Sequence, residues 1–146
     1  TESRMKIHGS CHCGNIAFDL DWQPEPKEIP ARACTCTFCQ KHGGVWTSNP
    51  QGRLDVHVSD ASKVSNYTFG TKTAQFHICS RCGAVPVLTS EIDGTTYAVV
   101  SVNAFDNVDA SLLKRASASF DGEEKGDRLA RRARNWIAHV RFHTAS

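Results

Sequence analysis

The chemistry open to this sequence lies mainly in its seven cysteines, which fall into three short groups. Cys11 and Cys13 form C-x-C in "GSCHCG", and Cys34, Cys36 and Cys39 form C-x-C-x2-C in "ACTCTFCQKHGG". Cys79 and Cys82 form C-x2-C in "HICSRCG". The last group has the form of a zinc knuckle: one tight loop presents two thiolates, and Gly83 relieves the turn behind them. An odd number of cysteines cannot pair fully within the chain. Clustered thiols in a reducing compartment point to metal binding or catalysis rather than to a disulfide framework.

Seven divides as four plus three. Cys11, Cys13, Cys79 and Cys82 can close a tetrahedral site of four thiolates, a structural zinc with no position left open. That site joins segments about 65 residues apart, so its metal would close a long loop and matter for folding. Cys34, Cys36 and Cys39 supply three thiolates and leave one position free, which is the pattern of a catalytic zinc. The spacing predicts a single helical turn over "TCTFCQKH", capped by Thr35 or Thr37, with Cys36 and Cys39 on one side. Gly43 and Gly44 would end that turn and leave room beside the metal. Four histidines, His8, His12, His42 and His77, stand near enough in sequence to compete as ligands. Of these, His42 has ligand spacing from Cys39; closing the second site with it would make that site structural too. His42 is also the best candidate for a general base. His12 is expected to point away from the metal, and His77 to be a structural surface residue.

The elements that must position these groups read as β structure. "NIAFDLDW" places Ile16, Phe18, Leu20 and Trp22 at period two, and "RLDVHVS" repeats the pattern with Leu54, Val56 and Val58. "SNYTFG" and "AQFHIC" alternate as well, and "AVPVLTSEIDGTTYAVVSV" predicts a hairpin turning at Asp93-Gly94. Pro86 suits an edge or the start of a strand better than a central position. The proline-rich "QPEPKEIPAR" is an irregular connection. Near the C-terminus a helix is expected, capped by Asp127, with Leu129, Ala133, Trp136, Ile137 and Val140 on one face. Arg128, Arg131, Arg132 and Arg134 lie off that face. The simpler expectation is that they are solvated; the sharper one is a basic rim that attracts an anionic substrate.

With 146 residues, the chain suits one domain, residues 1–146. A net charge of +2 is too small to argue for nucleic acid, and no apolar run approaches the roughly 18 residues of a membrane span. The segment "TESRMKIHGS" lacks the apolar core of a signal peptide, so a cytoplasmic location is expected.

The order C-x-C-G, C-x-C-x2-C, C-x2-C-G resembles the glutathione-dependent formaldehyde-activating enzyme family, which includes the centromere protein V-type domain. The resemblance runs from "GSCHCGNIAF" through "ACTCTFCQKHGG" and "FHICSRCGAVPV" to "VSVNAFDNVD" and "FDG". It implies an all-β, zinc-stabilised, tent-like fold of antiparallel sheets, here with a short C-terminal helix. It also implies two zinc ions per chain: a structural one on Cys11, Cys13, Cys79 and Cys82, and a catalytic one on Cys34, Cys36 and Cys39. The implied activity is that of a carbon–sulfur lyase, condensing glutathione with formaldehyde to S-hydroxymethylglutathione or running the reverse. Another thiol with another aldehyde would leave the same zinc signature. Lys41, Arg81 or the helix arginines could hold the carboxylates of glutathione. The competing functions are a non-catalytic zinc module that binds a partner and a redox sensor that releases zinc on oxidation.

Overall fold

The computed structural model describes residues 4–69, 73–118 and 123–144. The chain begins with an antiparallel pair, β1 (Met5–Ser10) and β2 (Ile16–Trp22), joined by the first cysteine turn. β3 (Ile29–Cys34) leads into the short helix α1 (Thr37–His42), and β4 (Val45–Thr47) follows directly. Next come β5 (Arg53–Val58), β6 (Val64–Tyr67) and β7 (Gln75–Cys79). β8 (Val87–Ile92) and β9 (Thr95–Ser101) form the expected hairpin; Asp93 and Gly94 both take positive φ at its turn, 51° and 81°. β10 (Leu113–Ala118), helix α2 (Lys125–Asn135) and β11 (His139–Thr144) complete the order.

Two sheets result. One has the order β1-β2-β5-β11 and the other β10-β3-β4-β9-β8-β7-β6. The expectation of antiparallel sheets holds for most pairs, but β10 runs parallel to β3 and β11 parallel to β5. Both parallel strands enter from far along the chain, as a parallel pair requires. Alternation explains the layers. Ile16, Phe18, Leu20, Leu54 and Val56 point inward from the smaller sheet and meet Ile29, Val87, Ala98 and Val100 from the larger one. The opposite face of the larger sheet carries a second buried cluster that includes Cys39, Trp46, Phe76, Leu88, Val99 and Trp136. Thus one face of the larger sheet builds the folding core, and the other builds the surroundings of the cysteine trio.

The C-terminal helix is shorter than expected. It ends at Asn135, and Trp136 is already extended, with ψ of 162°. Ile137 exchanges two backbone hydrogen bonds with Ala98 of β9, and Val140 lies in β11. The helical spacing of Ile137 and Val140 is therefore coincidental. Asp127 sits in the first turn rather than at the cap, which is Glu124. No helix among the described residues is long and apolar enough to cross a membrane. Of the quoted segments, the first three residues of "TESRMKIHGS", Gly70 of "SNYTFG" and the "FDG" at 120–122 fall outside the described residues.

Candidate metal centre and cavity

The cysteines gather in the two groups that their spacing suggested. The sulfurs of Cys11, Cys13, Cys79 and Cys82 lie within 4.8 Å of one another. Cys11 and Cys13 are 3.8 Å apart at sulfur, and Cys13 and Cys79 3.5 Å. A tetrahedron with metal–sulfur bonds of about 2.3 Å has edges of about 3.8 Å, so the donor set fits a zinc-sized ion. Two matching turns build it. Gly14 and Gly83, at φ of 85° and 81°, each donate a backbone N–H to the carbonyl of the group's first cysteine. The Ile16 amide donates to Cys11 Sγ at 3.3 Å. Burial raises the Cys11 thiol to about 11. At Cys82, burial is outweighed by the backbone bonds with Ala84 and Cys13 and by the neighbouring thiols, which lower it to about 6. All seven cysteines carry free thiols.

The sulfurs of Cys34, Cys36 and Cys39 form the second group, again within 4.8 Å. β3 delivers Cys34, and α1 with its cap delivers the other two. The cap of α1 is Cys36 itself, in place of Thr35 or Thr37: its sulfur accepts the Cys39 N–H at 3.3 Å. A sulfur thus takes the role usually played by a hydroxyl or carboxylate oxygen. Gly43 closes the helix at φ of 75°, and Asn103 holds its carbonyl. Gly44 has no room for a side chain, since a Cβ there would lie 3.1 Å from Cys39 Sγ and 2.9 Å from Trp46 Nε1. The Trp46 indole N–H donates to Cys39 Sγ at 3.4 Å.

The three thiols share charge unevenly. Hydrogen bonding with Cys39 is the main cause that lowers Cys34 to about 6; the same pairing, with burial, pushes Cys39 well above the thiol range. Three sulfurs this close could hold a cation among them, and the donor set suits one. His42 is not part of the sulfur group: its ring packs on Phe38 with centroids 4.4 Å apart. Burial lowers its pKa, keeping the imidazole neutral near pH 7. His12 is exposed, and His8 pairs with Asp19 away from both groups. His77, expected at the surface, is half-buried; Thr89 Oγ1 lies 2.8 Å from its Nε2, and Phe142 covers it.

Beside the trio lies a cavity of about 690 Å³. Cys34, Cys36 and Cys39 line it together with Arg32, Arg128, Arg131 and Arg132, whereas Lys41 and Arg81 do not. The helix arginines are therefore not all solvated. Arg132 is 7% exposed and follows Leu129 by three positions, on the inward side of α2; Ala133, expected there, is exposed. Its Nη1 donates to Thr73 Oγ1 at 2.7 Å and to Ser90 Oγ at 3.3 Å, and its guanidinium carbon lies 5.0 Å from the Trp136 ring centre. Burial and the charges of Arg131 and Arg128 lower its pKa to about 10, so it stays cationic near neutral pH. Glu123 holds Arg131 at 3.1 Å and stands 3.7 Å from Arg128; the hydrogen bond from Arg131 keeps its carboxyl below the usual range. Arg134 is exposed and lies outside the wall. The fourth guanidinium comes instead from the strand side: Arg32 of β3, which donates to Ser48 Oγ at 2.9 Å. Sequence patterning singles out neither Arg32 nor Trp46. Strand parity is the available signal, since Arg32 precedes Cys34 by two positions and so shares its face.

Three comparisons with known proteins show what this chain is similar to. The model of the glutathione-dependent formaldehyde-activating enzyme family matches residues 6–120. A Halomonas elongata protein provisionally named as a glutathione-dependent formaldehyde-activating enzyme is 31% identical over 87 residues, 55% of this chain and 54% of that protein. The chain thus matches about half the length of that relative. A crystal structure of a Rhodobacter sphaeroides protein superposes with a TM-score of 0.53 at 25% identity, covering 71% of this chain and 92% of the other.

Proposed function

Since the chain belongs to the glutathione-dependent formaldehyde-activating enzyme family, we propose that it is a zinc-dependent carbon–sulfur lyase acting on adducts of glutathione, or a similar thiol, with formaldehyde or a related aldehyde. The observation that carries this reading is one cavity with three cysteine sulfurs at one side and four arginines around it. Among the described residues Glu123 is the carboxylate that meets Arg131 and Arg128, while Arg32 and Arg132 bond to hydroxyls, which leaves these two suited to the carboxylates of glutathione.

In the forward direction the substrate sulfur attacks the carbonyl carbon. A carbon–sulfur bond forms, the carbonyl π pair moves to oxygen, and the thiol proton ends on that oxygen; cleavage is the reverse. Cys34, Cys36 and Cys39 would hold a zinc ion, which when bound would supply Lewis acidity for ionising a thiol or polarising a carbonyl. The chain's own residues do the rest. The Trp46 N–H stabilises charge on Cys39, and the arginines orient the anionic substrate. The second zinc, on Cys11, Cys13, Cys79 and Cys82, has a structural role. Free thiols throughout suit a reducing cytoplasm.

The test is Cys39→Ser. It should lose one zinc of two, with turnover falling by at least about a hundredfold, while the far-ultraviolet dichroism stays that of the native protein. Full turnover in this variant would refute the catalytic assignment.

A further inference from the structure

The cavity offers more apolar surface than a one-carbon aldehyde and a polar tripeptide require. Its floor is a cross-strand row: Phe76 on β7 pairs with Leu88 on β8, which pairs with Val99 on β9. Trp46 bounds this floor at the Cys39 side. At the other side Ser90, two residues beyond Leu88 and on the same face, accepts from Arg132. Phe69 stacks on Phe76 with centroids 5.8 Å apart and planes 15° from parallel, adding a ring to the wall. The folding core lies on the opposite face of the sheet, so this row is not needed to join the two sheets.

Arg132 supplies a second, independent observation. It is more than nine-tenths buried and lines the cavity, and its Nε has no hydrogen-bond partner among the described residues. A buried cation that makes no ion pair among the described residues calls for an anionic ligand. The apolar floor thus lies between a sulfur-reactive end and an anion-binding end.

We propose that the substrate of this chain is a glutathione adduct whose aldehyde-derived part is a bulky apolar group, alkyl or aryl, rather than a hydroxymethyl group. The inference rests on the thiol-adduct reading above. A hydroxymethyl substituent would leave the cavity above the Phe76–Leu88–Val99 floor largely unfilled. An alkyl or aryl chain on the same sulfur would cover it while the glutathione carboxylates reach Arg132 and its neighbours.

S-alkyl glutathiones separate this inference from the reading it rests on, because their thioether sulfur needs no ionisation and no turnover. S-methyl-, S-propyl- and S-hexylglutathione are titrated into the zinc-loaded protein, with calorimetry and the fluorescence of Trp46 and Trp136 as readouts. Affinity should climb by roughly two- to fourfold per added methylene, so that S-hexyl exceeds S-methyl by at least about thirtyfold. The gain should shrink in Leu88→Asn and in the shape-preserving Val99→Thr. Equal affinities along the series, or a gain unchanged in both variants, would overturn the inference and leave the glutathione reading standing. Failure of every conjugate to bind would remove glutathione from the site and the inference with it.

Discussion

Arg132 holds a charge in a place that no carboxylate of the described residues neutralises directly. Two hydroxyls and an indole face support it, and burial makes its solitary charge costly. On the proposed reading a substrate carboxylate would relieve that cost, and Arg132 is the contact expected to matter most. Arg132→Gln should raise KM by about 10- to 100-fold with zinc content unchanged, the range expected for a hydrogen-bonded charge. An unaltered KM would move anion binding to Arg32, Arg128 or Arg131. The cysteines are readable at this scale because metal ligation demands both residue type and spacing. Arg132 is not, because an amphipathic face is drawn from apolar positions alone, whereas Leu129 and Arg132 share this one.

Between β3 and β4, a six-residue helix with its cap and two glycines carries two of the three sulfurs of the trio. Cys36 is the helix cap and, on the proposed reading, a metal donor, so helix geometry and metal geometry would constrain each other. Gly44→Ala should perturb this joint by pressing a methyl group against Cys39 Sγ and the Trp46 indole. Zinc affinity at the trio should fall at least about tenfold in competition with a chromophoric chelator, with the four-sulfur site retaining its metal. Loss of both metals together would show that the effect is on the fold rather than on the joint. Alternation identifies β2 and β5 because each has one face in the core and the other more exposed, whereas the β8–β9 hairpin, buried on both faces, is marked by its Asp93-Gly94 turn. The end of α2 is illegible because Trp136 and Ile137 keep helical spacing after the backbone has left the helix to bridge β9.

Across the whole molecule, the four-sulfur site staples the two sheets: Cys11 and Cys13 follow β1 of one, while Cys79 ends β7 of the other and Cys82 follows it. Chelation should therefore proceed in two stages. The three-sulfur site should empty first with little change in melting temperature. Emptying the four-sulfur site should lower it by more than about 10 °C. A single release step coincident with unfolding would contradict the division of labour between the two sites. The parallel partnerships of β10 with β3 and β11 with β5 cannot be read from sequence, because pairing across such separations leaves no local pattern. The order of the chain has a further consequence during synthesis. All seven cysteines precede β10, whereas three of the four cavity arginines follow it. A nascent chain can present both sulfur clusters before its guanidinium wall exists, so the ribosome exposes a species competent to acquire metal before it can recognise an anion.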